Sequence, residues 1–400
     1  MRRTNNNAYL LATVNAISKI YDVFLGTFLV AYLFKQTKDS ATEIGIYHLI
    51  CYFIVGLSAY LTGNWIKKKN RILMYQLGII ITFIYLTSFI ILKENIIHYI
   101  PLCAIFYGLY IAFMNFPFNL IIADNVPNSQ LIPFQGYLES LKNIVKVSSP
   151  VILGYFLNND AYFKTVTFLA ILSLIELALI SKVKSTPQKN IPDFNISAFW
   201  NRTKNSPTLK QLYKIEFYRG MTIDGALLTI VTLYTIYLFK TNFSIGFISS
   251  ILYLLTIILS FLFGRYCKYC HFTKLLTIIA IAIISALITF TLLPNKLTFI
   301  FYSLCFTISA QFLRTIASIN VFNISHLPQI KRNKSEYFAA REIFINLGRI
   351  VSFALVILIG FFNNFELLKT LLIFLTILLI ILCICCIRLN NNFHNKKQKN

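Results

Sequence analysis

The chain is short of charge, and shortest of acid. Only 13% of its 400 residues are Asp, Glu, Lys or Arg, and 14 acidic residues stand against 37 basic ones. Soluble domains carry about a quarter charged residues, so an ordinary water-soluble enzyme of this length is excluded. Glycine (14), proline (10) and tryptophan (2) are also scarce. No G-x4-G-K-[ST] loop for nucleotide phosphates occurs. A compact reactive set is missing too: His48, His98, His271 and His394 fall at helix ends, in loops or in the tail, and His326 closes a span without an obvious partner. That disfavours catalysis, and neither a cofactor nor a metal site is expected. Eight cysteines give no disulfide framework, because Cys51, Cys103, Cys305 and Cys383 lie inside apolar runs, where Cys acts as a small hydrophobe. Cys267-Lys268-Tyr269-Cys270-His271 has the spacing of a c-type haem attachment site. It falls in a short basic loop on the side assigned to the cytoplasm, so chance is the better account.

What fills the chain is apolar: 57% hydrophobic residues and a mean hydropathy of +0.68. A membrane span needs roughly 20 apolar residues. Helices are expected near 8–34, 43–66, 72–92, 98–123, 136–158, 163–181, 213–239, 245–266, 275–293, 298–326, 338–361 and 367–387. The first is too long for the apolar core of a signal peptide and is read as retained. Many spans are rich in Ile and Phe, poor helix formers in water, but in lipid the backbone must satisfy itself.

The net charge of +23 invites a nucleic-acid reading, which the distribution rejects. The bases cluster between apolar runs, as orientation in a membrane requires. With Arg2 and Arg3 inside, so are Lys67 to Arg71, the bases of Lys182 to Lys214, Arg265, Lys268, Lys274, Lys331, Arg332, Lys334 and those from Arg388 onward. The outer loops keep only Lys35, Lys38, Lys93, Lys164, Lys240, Lys296 and Lys369. Both termini are therefore expected in the cytoplasm of a multi-pass protein of the cell membrane. The polar stretch from Lys184 to Pro207, with three prolines, reads as a linker. The expected organisation is a six-helix bundle over 1–182, a linker over 183–212, a second bundle over 213–388 and a basic tail over 389–400.

The two bundles are one pattern written twice. Tyr32-Leu33-Phe34-Lys35 recurs as Tyr237-Leu238-Phe239-Lys240. Glu139-x3-Asn143-x2-Lys146 recurs as Glu342-x3-Asn346-x2-Arg349, an offset of 203. Asp22 matches Asp224, Gly63-x3-Lys67 matches Gly264-x3-Lys268, and Asn119 matches Asn323. Twelve spans in two repeats, internal ends and a basic central loop resemble the major facilitator superfamily over the whole chain. The motif match is weaker. The family's loop between helices 2 and 3, G-x-x-x-D-[RK]-x-G-[RK], stands here as Gly63-Asn64-Trp65-Ile66-Lys67-Lys68-Lys69-Asn70-Arg71, with Lys67 at the Asp position. The resemblance implies a twelve-helix all-α membrane fold in two pseudo-symmetric bundles, with helices 1, 4, 7 and 10 around a central cavity. It also implies a latch at the inner face. Because the loop charge is reversed here, the expected latch pairs Lys67 with Glu342 and Lys268 with Glu139, with Arg71 beside them; topology-setting alone is the alternative.

A charge near the bilayer centre costs about 2.5–3.5 kcal/mol on insertion scales, so it faces a partner or water. Lys19 and Asp22 in helix 1, Asp224 and Arg219 in helix 7 and Arg314 in helix 10 form that set, with Asn115 and Asn119 in helix 4 and Asn323 in helix 10. Lys19 and Asp22 share a face; Arg219 and Asp224, five apart, fit a direct pair poorly. Arg314 bridges to Asp22 or Asp224 and would orient an anionic or polar group. The carboxylates of Asp22 and Asp224 are the candidate proton carriers; a static packing pair is the competing account. Glu139, Asn143 and Lys146 form one helical stripe, and Glu342, Asn346 and Arg349 another, suited to a gate or to inter-bundle structure. Glu176 has no repeat partner and is expected to snorkel inward or pair locally. The function expected is secondary transport of a small organic solute by alternating access, with protons as the candidate coupling ion and export favoured from family frequency. An uptake facilitator is one alternative and a membrane-embedded enzyme or lipid-handling protein another. The partners expected are the solute and the bilayer, not nucleic acid, and the chain is expected to act as a monomer.

Overall fold

The computed structural model describes residues 6–25, 41–68, 71–92, 99–158, 162–183, 193–239, 242–362 and 365–398. The first half holds α1 (Asn6–Val23), α2 (Ala41–Lys68), α3 (Arg71–Leu92), α4 (Ile100–Asn125), α5 (Leu131–Asn158) and α6 (Tyr162–Ile180). A short helix, α7 (Ile196–Thr203), lies in the linker. The second half holds α8 (Pro207–Met221), α9 (Ala226–Phe239), α10 (Asn242–Tyr266), α11 (Phe272–Leu292), α12 (Lys296–Ser325), a one-turn α13 (Pro328–Lys331), α14 (Lys334–Gly360) and α15 (Phe365–Gln398). With α8 and α9 taken as two pieces of span seven, this is the twelve-helix arrangement. Seven helices of the described residues are long and apolar enough to cross a membrane on length and composition alone. Large apolar side chains face outward along the helices, including Leu61, Ile91, Leu292 and Leu297 at 64–78% exposure, a surface that suits lipid and not water.

Several boundaries differ from those expected. Residues 26–34 of the first expected span lie outside the described set. Helix α8 begins at Pro207, six residues early, because Pro is favoured at the first helical position. Helix α14 begins at Lys334 and not near 338, which brings Lys334 and Glu336 into its first turn. The expected tail continues α15 as helix to Gln398.

The halves meet along two seams, α2 against α14 and α5 against α10. Small residues allow the approach. At Gly136 and Gly264 the two backbones nearly touch, and a Cβ added at Gly136 would lie 2.4 Å from the Gly264 Cα. Within the second half, Gly220 and Gly348 let α8 and α14 close up, each facing a carbonyl of the other helix.

Candidate functional site

Span seven breaks over Thr222–Gly225, and Asp224 sits in the break. Freed backbone groups take partners from within the break and from other helices, as backbone in lipid requires. The Asp224 N–H donates to Arg219 O at 3.1 Å, and the Ala226 N–H donates to Ser352 Oγ on α14 at 3.2 Å. Arg314 Nη2 donates to Ile223 O at 2.9 Å and Arg349 Nε to Asp224 O at 3.0 Å. Two arginines from different helices thus hold the two carbonyls that an intact helix would have consumed.

The break also corrects the expectation for Arg219. Five residues apart on a regular helix, Arg219 and Asp224 would diverge; here Arg219 Nε lies 2.6 Å from Asp224 Oδ2. Arg314 Nε takes the other carboxylate oxygen, Oδ1, at 2.8 Å, so of the two acids open to it Arg314 pairs with Asp224. The charges continue as an alternating chain. Arg219 Nη1 reaches Glu216 Oε1 at 3.4 Å. Arg341 Nε stands 3.0 Å from Glu216 Oε2, an ion-pair distance off the line of a hydrogen bond. Arg341 Nη1 meets Glu342 Oε1 at 2.7 Å, and Asn119 Nδ2 on α4 meets that same oxygen at 3.4 Å. This chain runs from α12 through the break to α14 and ends on the other half.

Asp22, the repeat equivalent of Asp224, has a different setting. It pairs with Lys19 and accepts from Tyr110 OH at 2.9 Å. Its side chain keeps 27% exposure, against 11% for Asp224. Lys19 and Asp22 line a polar cavity of about 220 Å³ with Tyr52, Tyr107, Asn115 and Arg349, contributed by α1, α2, α4 and α14, so it lies between the halves. The Arg349 guanidinium stands over the Tyr52 ring at 4.7 Å. A second cavity of about 140 Å³ lies between α5, α9, α10 and α12, mostly apolar, with Lys146 and Arg314 among its lining. The break lies between the two: Ile223 lines one, and Asp224 O holds the arginine that lines the other.

At the end of the bundle that carries the linker, ionic groups close the α2/α14 seam. Lys67 pairs with Glu336, each side chain only 2% exposed. Asp124 at the end of α4 accepts from Arg71 of its own half and, at 2.8 Å, from Lys334 of the other. The linker straps onto this closure. Phe194 fills the space over Gly63, the Asn195 N–H donates to Glu336 Oε1 at 3.3 Å, and Lys68 meets Asp193 Oδ1 at 2.7 Å.

These pairings correct the expected latch. Lys67 takes Glu336 and not Glu342, because Glu342 lies six residues further into α14, about 9 Å along its axis, and is held by Arg341. Lys268 is exposed on the linker side. Its expected partner Glu139 pairs instead with Lys142 at 3.0 Å and takes a long contact from Gln311 at 3.5 Å. Asn143 bonds across the α5/α10 seam to Ser260 Oγ at 3.2 Å, and Asn346 accepts from Arg349 at 2.9 Å. Asn323 is not at the cavity: it receives the Tyr269 hydroxyl at the linker end. Of the two outcomes expected for Glu176, local pairing is the one found: it is fully buried and accepts from Tyr75 OH at 3.5 Å. The residues that sequence reasoning missed are Glu336, Asp124 and Lys334 of the closure, Glu216 of the charge chain, and Tyr52, Tyr107 and Tyr110 of the cavity. No group of three or more His, Cys, Asp or Glu suited to a metal ion occurs among the described residues.

A protein with two six-helix halves, a broken seventh span and a charged cavity between the halves has the fold of a membrane solute transporter and not of an enzyme. Residues 10–353 match the Major Facilitator Superfamily, and the chain belongs to that family. It is 20% identical over 360 residues to the uncharacterized protein YqgE of Bacillus subtilis, covering 89% of this chain and 83% of that one. Among solved structures, a bacterial homologue of the iron transporter ferroportin, in an outward-facing state with soaked iron, superposes with a TM-score of 0.72. That pair is 13% identical, with 97% and 99% of the two chains covered. The human organic anion transporter MFSD10 gives a TM-score of 0.64 at 10% identity, with 94% and 97% covered. At such identities the likeness to these two is one of fold.

Proposed function

We propose that this chain moves a small solute by alternating access, driven by a solute or proton gradient, and that the polar cavity at Lys19, Asp22 and Arg349 is where the path crosses between the halves. One observation carries this reading: that cavity lies between the two halves, while their linker-side seam is shut by buried ion pairs. A transporter of this architecture holds its site near the midplane and rocks one half against the other. The closure Lys67–Glu336 with Arg71–Asp124–Lys334 is then the gate, and the linker side is the cytoplasmic side on the positive-inside rule. Of the two repeat-related acids, Asp22 is the better placed to carry a coupling proton. It has one cationic partner and faces a cavity, whereas Asp224 is matched by two guanidiniums and pins the break.

Solute flux into proteoliposomes, with and without an imposed pH gradient, tests the reading. Asp22→Asn is expected to abolish gradient-driven flux while the protein still inserts. Flux unchanged by the substitution removes Asp22 from the coupling role.

A further inference from the structure

The charges around the two cavities do not balance. Each acid that reaches them is already matched: Asp22 by Lys19, Asp224 by Arg219 and Arg314, and Glu139 by Lys142. Two cations are left over. Arg349 has only a carbonyl, the Asn346 amide oxygen and the Tyr52 ring. Lys146 makes no hydrogen bond or ion pair among the described residues, though it is partly buried and lines the second cavity. Arg314 lines that cavity too, and its Nη1 has no partner there, since Nε and Nη2 serve Asp224 and Ile223. A cation without a counterion in a membrane interior is expensive. A site that tolerates one is built for a ligand that brings the opposite charge.

The rest of the cavity says what else that ligand carries. Beyond Lys146 and Arg314, its walls include Leu228, Val231, Phe299 and Phe306, with threonines between them. Along α12 the lining passes from Phe299 and Ile300 through Ser303, Phe306 and Thr307 to Gln311 and Arg314, as in a pocket for an amphipathic molecule, where apolar walls bury the body and a few polar groups orient it.

We infer that the cavity between α5, α9, α10 and α12 takes an organic anion with an apolar body, its acidic group held by Lys146 and the free edge of Arg314. The inference rests on the transporter reading above and narrows its cargo. It excludes cationic solutes from this cavity, because two cations already face it. It gives Lys146 a role that its repeat counterpart Arg349 does not duplicate, since Arg349 is tied to the break.

Three probes with one apolar body separate the charge classes: phenylbutyrate, phenylbutanol and phenylbutylamine. Thermal stabilisation of the purified full chain is the readout. Phenylbutyrate is expected to raise the melting temperature, with the alcohol weaker and the amine without effect. Lys146→Gln is expected to weaken phenylbutyrate binding roughly tenfold or more, and Lys146→Arg to keep most of it. A shift from the amine equal to that from the acid, no shift from the acid, or an unaltered acid shift in Lys146→Gln overturns the inference. Should Lys146→Gln fail to fold, the ranking of the three probes on the native protein decides alone. Binding needs no flux, so the two readings fail separately. Anion-selective binding without uptake into proteoliposomes overturns transport and leaves the ligand class. Uptake of the amine in preference to the acid overturns the ligand class and leaves transport.

Discussion

Asp22 and Asp224 stand at matching places in the two repeats, and the molecule uses them in opposite ways. Asp22 lies in the last turn of α1, one residue before Val23, with one lysine, one tyrosine and a cavity in front of it. Asp224 lies where its helix stops, between two guanidiniums, and its backbone oxygen holds a third. Duplication supplied the same side chain twice; the break changed what it does. Asp22 is held through its side chain, by Lys19 and Tyr110. A carboxylate in a break brings unsatisfied backbone with it, and the arginines that satisfy the backbone also neutralise the acid.

The largest expected effect separates these two aspartates. Asp224→Asn leaves Arg219 and Arg314 without a shared counter-charge in a buried site, a loss of about 3–5 kcal/mol. It should lower the thermal midpoint strongly or prevent folding. Asp22→Asn removes one pair that faces a cavity and leaves one cation, not two, without it, so its midpoint should fall less than that of Asp224→Asn. Equal midpoints for the two variants would show that the break does not depend on Asp224.

The two seams repeat the lesson. Lys67 and Lys268 are equivalents, yet Lys67 is buried against Glu336 and Lys268 is exposed. The position 203 residues before Glu336 is Pro133, so the second copy has no acid to offer. Its seam closes instead by glycine against glycine, at Gly136 and Gly264. One seam is held by charge and the other by shape. Glu336→Gln should cost about 3 kcal/mol, because it strands a buried ammonium. Lys67→Met combined with Glu336→Leu should recover most of that. A double-mutant cycle on thermal midpoints measures the coupling, and a coupling near zero would remove the pair from the closure.

The parts legible in the sequence were those with a period: the spans, the repeat and the charged helices around the cavity. The break was not, because Thr222-Ile223-Asp224-Gly225 sits in an apolar run that reads as helix. Gly220 and Gly225 bracketing Asp224 were the available signal, since glycine weakens a helix interior. Their reason is close backbone approach: a Cβ at Gly220 would lie 2.0 Å from Ile345 O on α14, and one at Gly225 would lie 1.9 Å from Gly220 O across the break. The latch was half legible. Lys67 stands out by its place in the loop motif. Glu336 does not stand out, because the expected start of span eleven lies two residues beyond it and hydrophobic periodicity does not mark the polar first turn of a helix.

A middle-sized effect tests the seam held by shape. Gly136→Val forces side-chain atoms against the Gly264 backbone and the Ser260 carbonyl, and backbone cannot step aside as a side-chain tip would. Overpacking of this kind costs about 1–3 kcal/mol. The variant should lose thermal stability and any flux that needs the seam to close. The same substitution at Gly56, where an added Cβ would meet only Asn346 Cβ at 3.6 Å, should be milder. Equal losses at the two sites would mean that the α5/α10 approach is not the tight point.

The smallest effect is expected where charge lies in water. Asp193 and Lys68 pair at 2.7 Å, but their side chains are 80% and 55% exposed. The Lys68 ammonium, by hydrogen bond and by charge, holds the Asp193 carboxyl below the usual carboxylate range. A depressed folded-state pKa contributes stability above the unfolded value, and that stability is lost as pH falls through the folded value. Any contribution of Asp193 is therefore complete at neutral pH and disappears only in acid. Exposure and salt screening keep it small. Asp193→Asn should leave the midpoint at neutral pH unchanged, whereas Phe194→Ala, which empties the space over Gly63, should lower it. If the aspartate mattered more than the phenylalanine, the strap would be held by its charge and the contrast between its wet and buried contacts would fail.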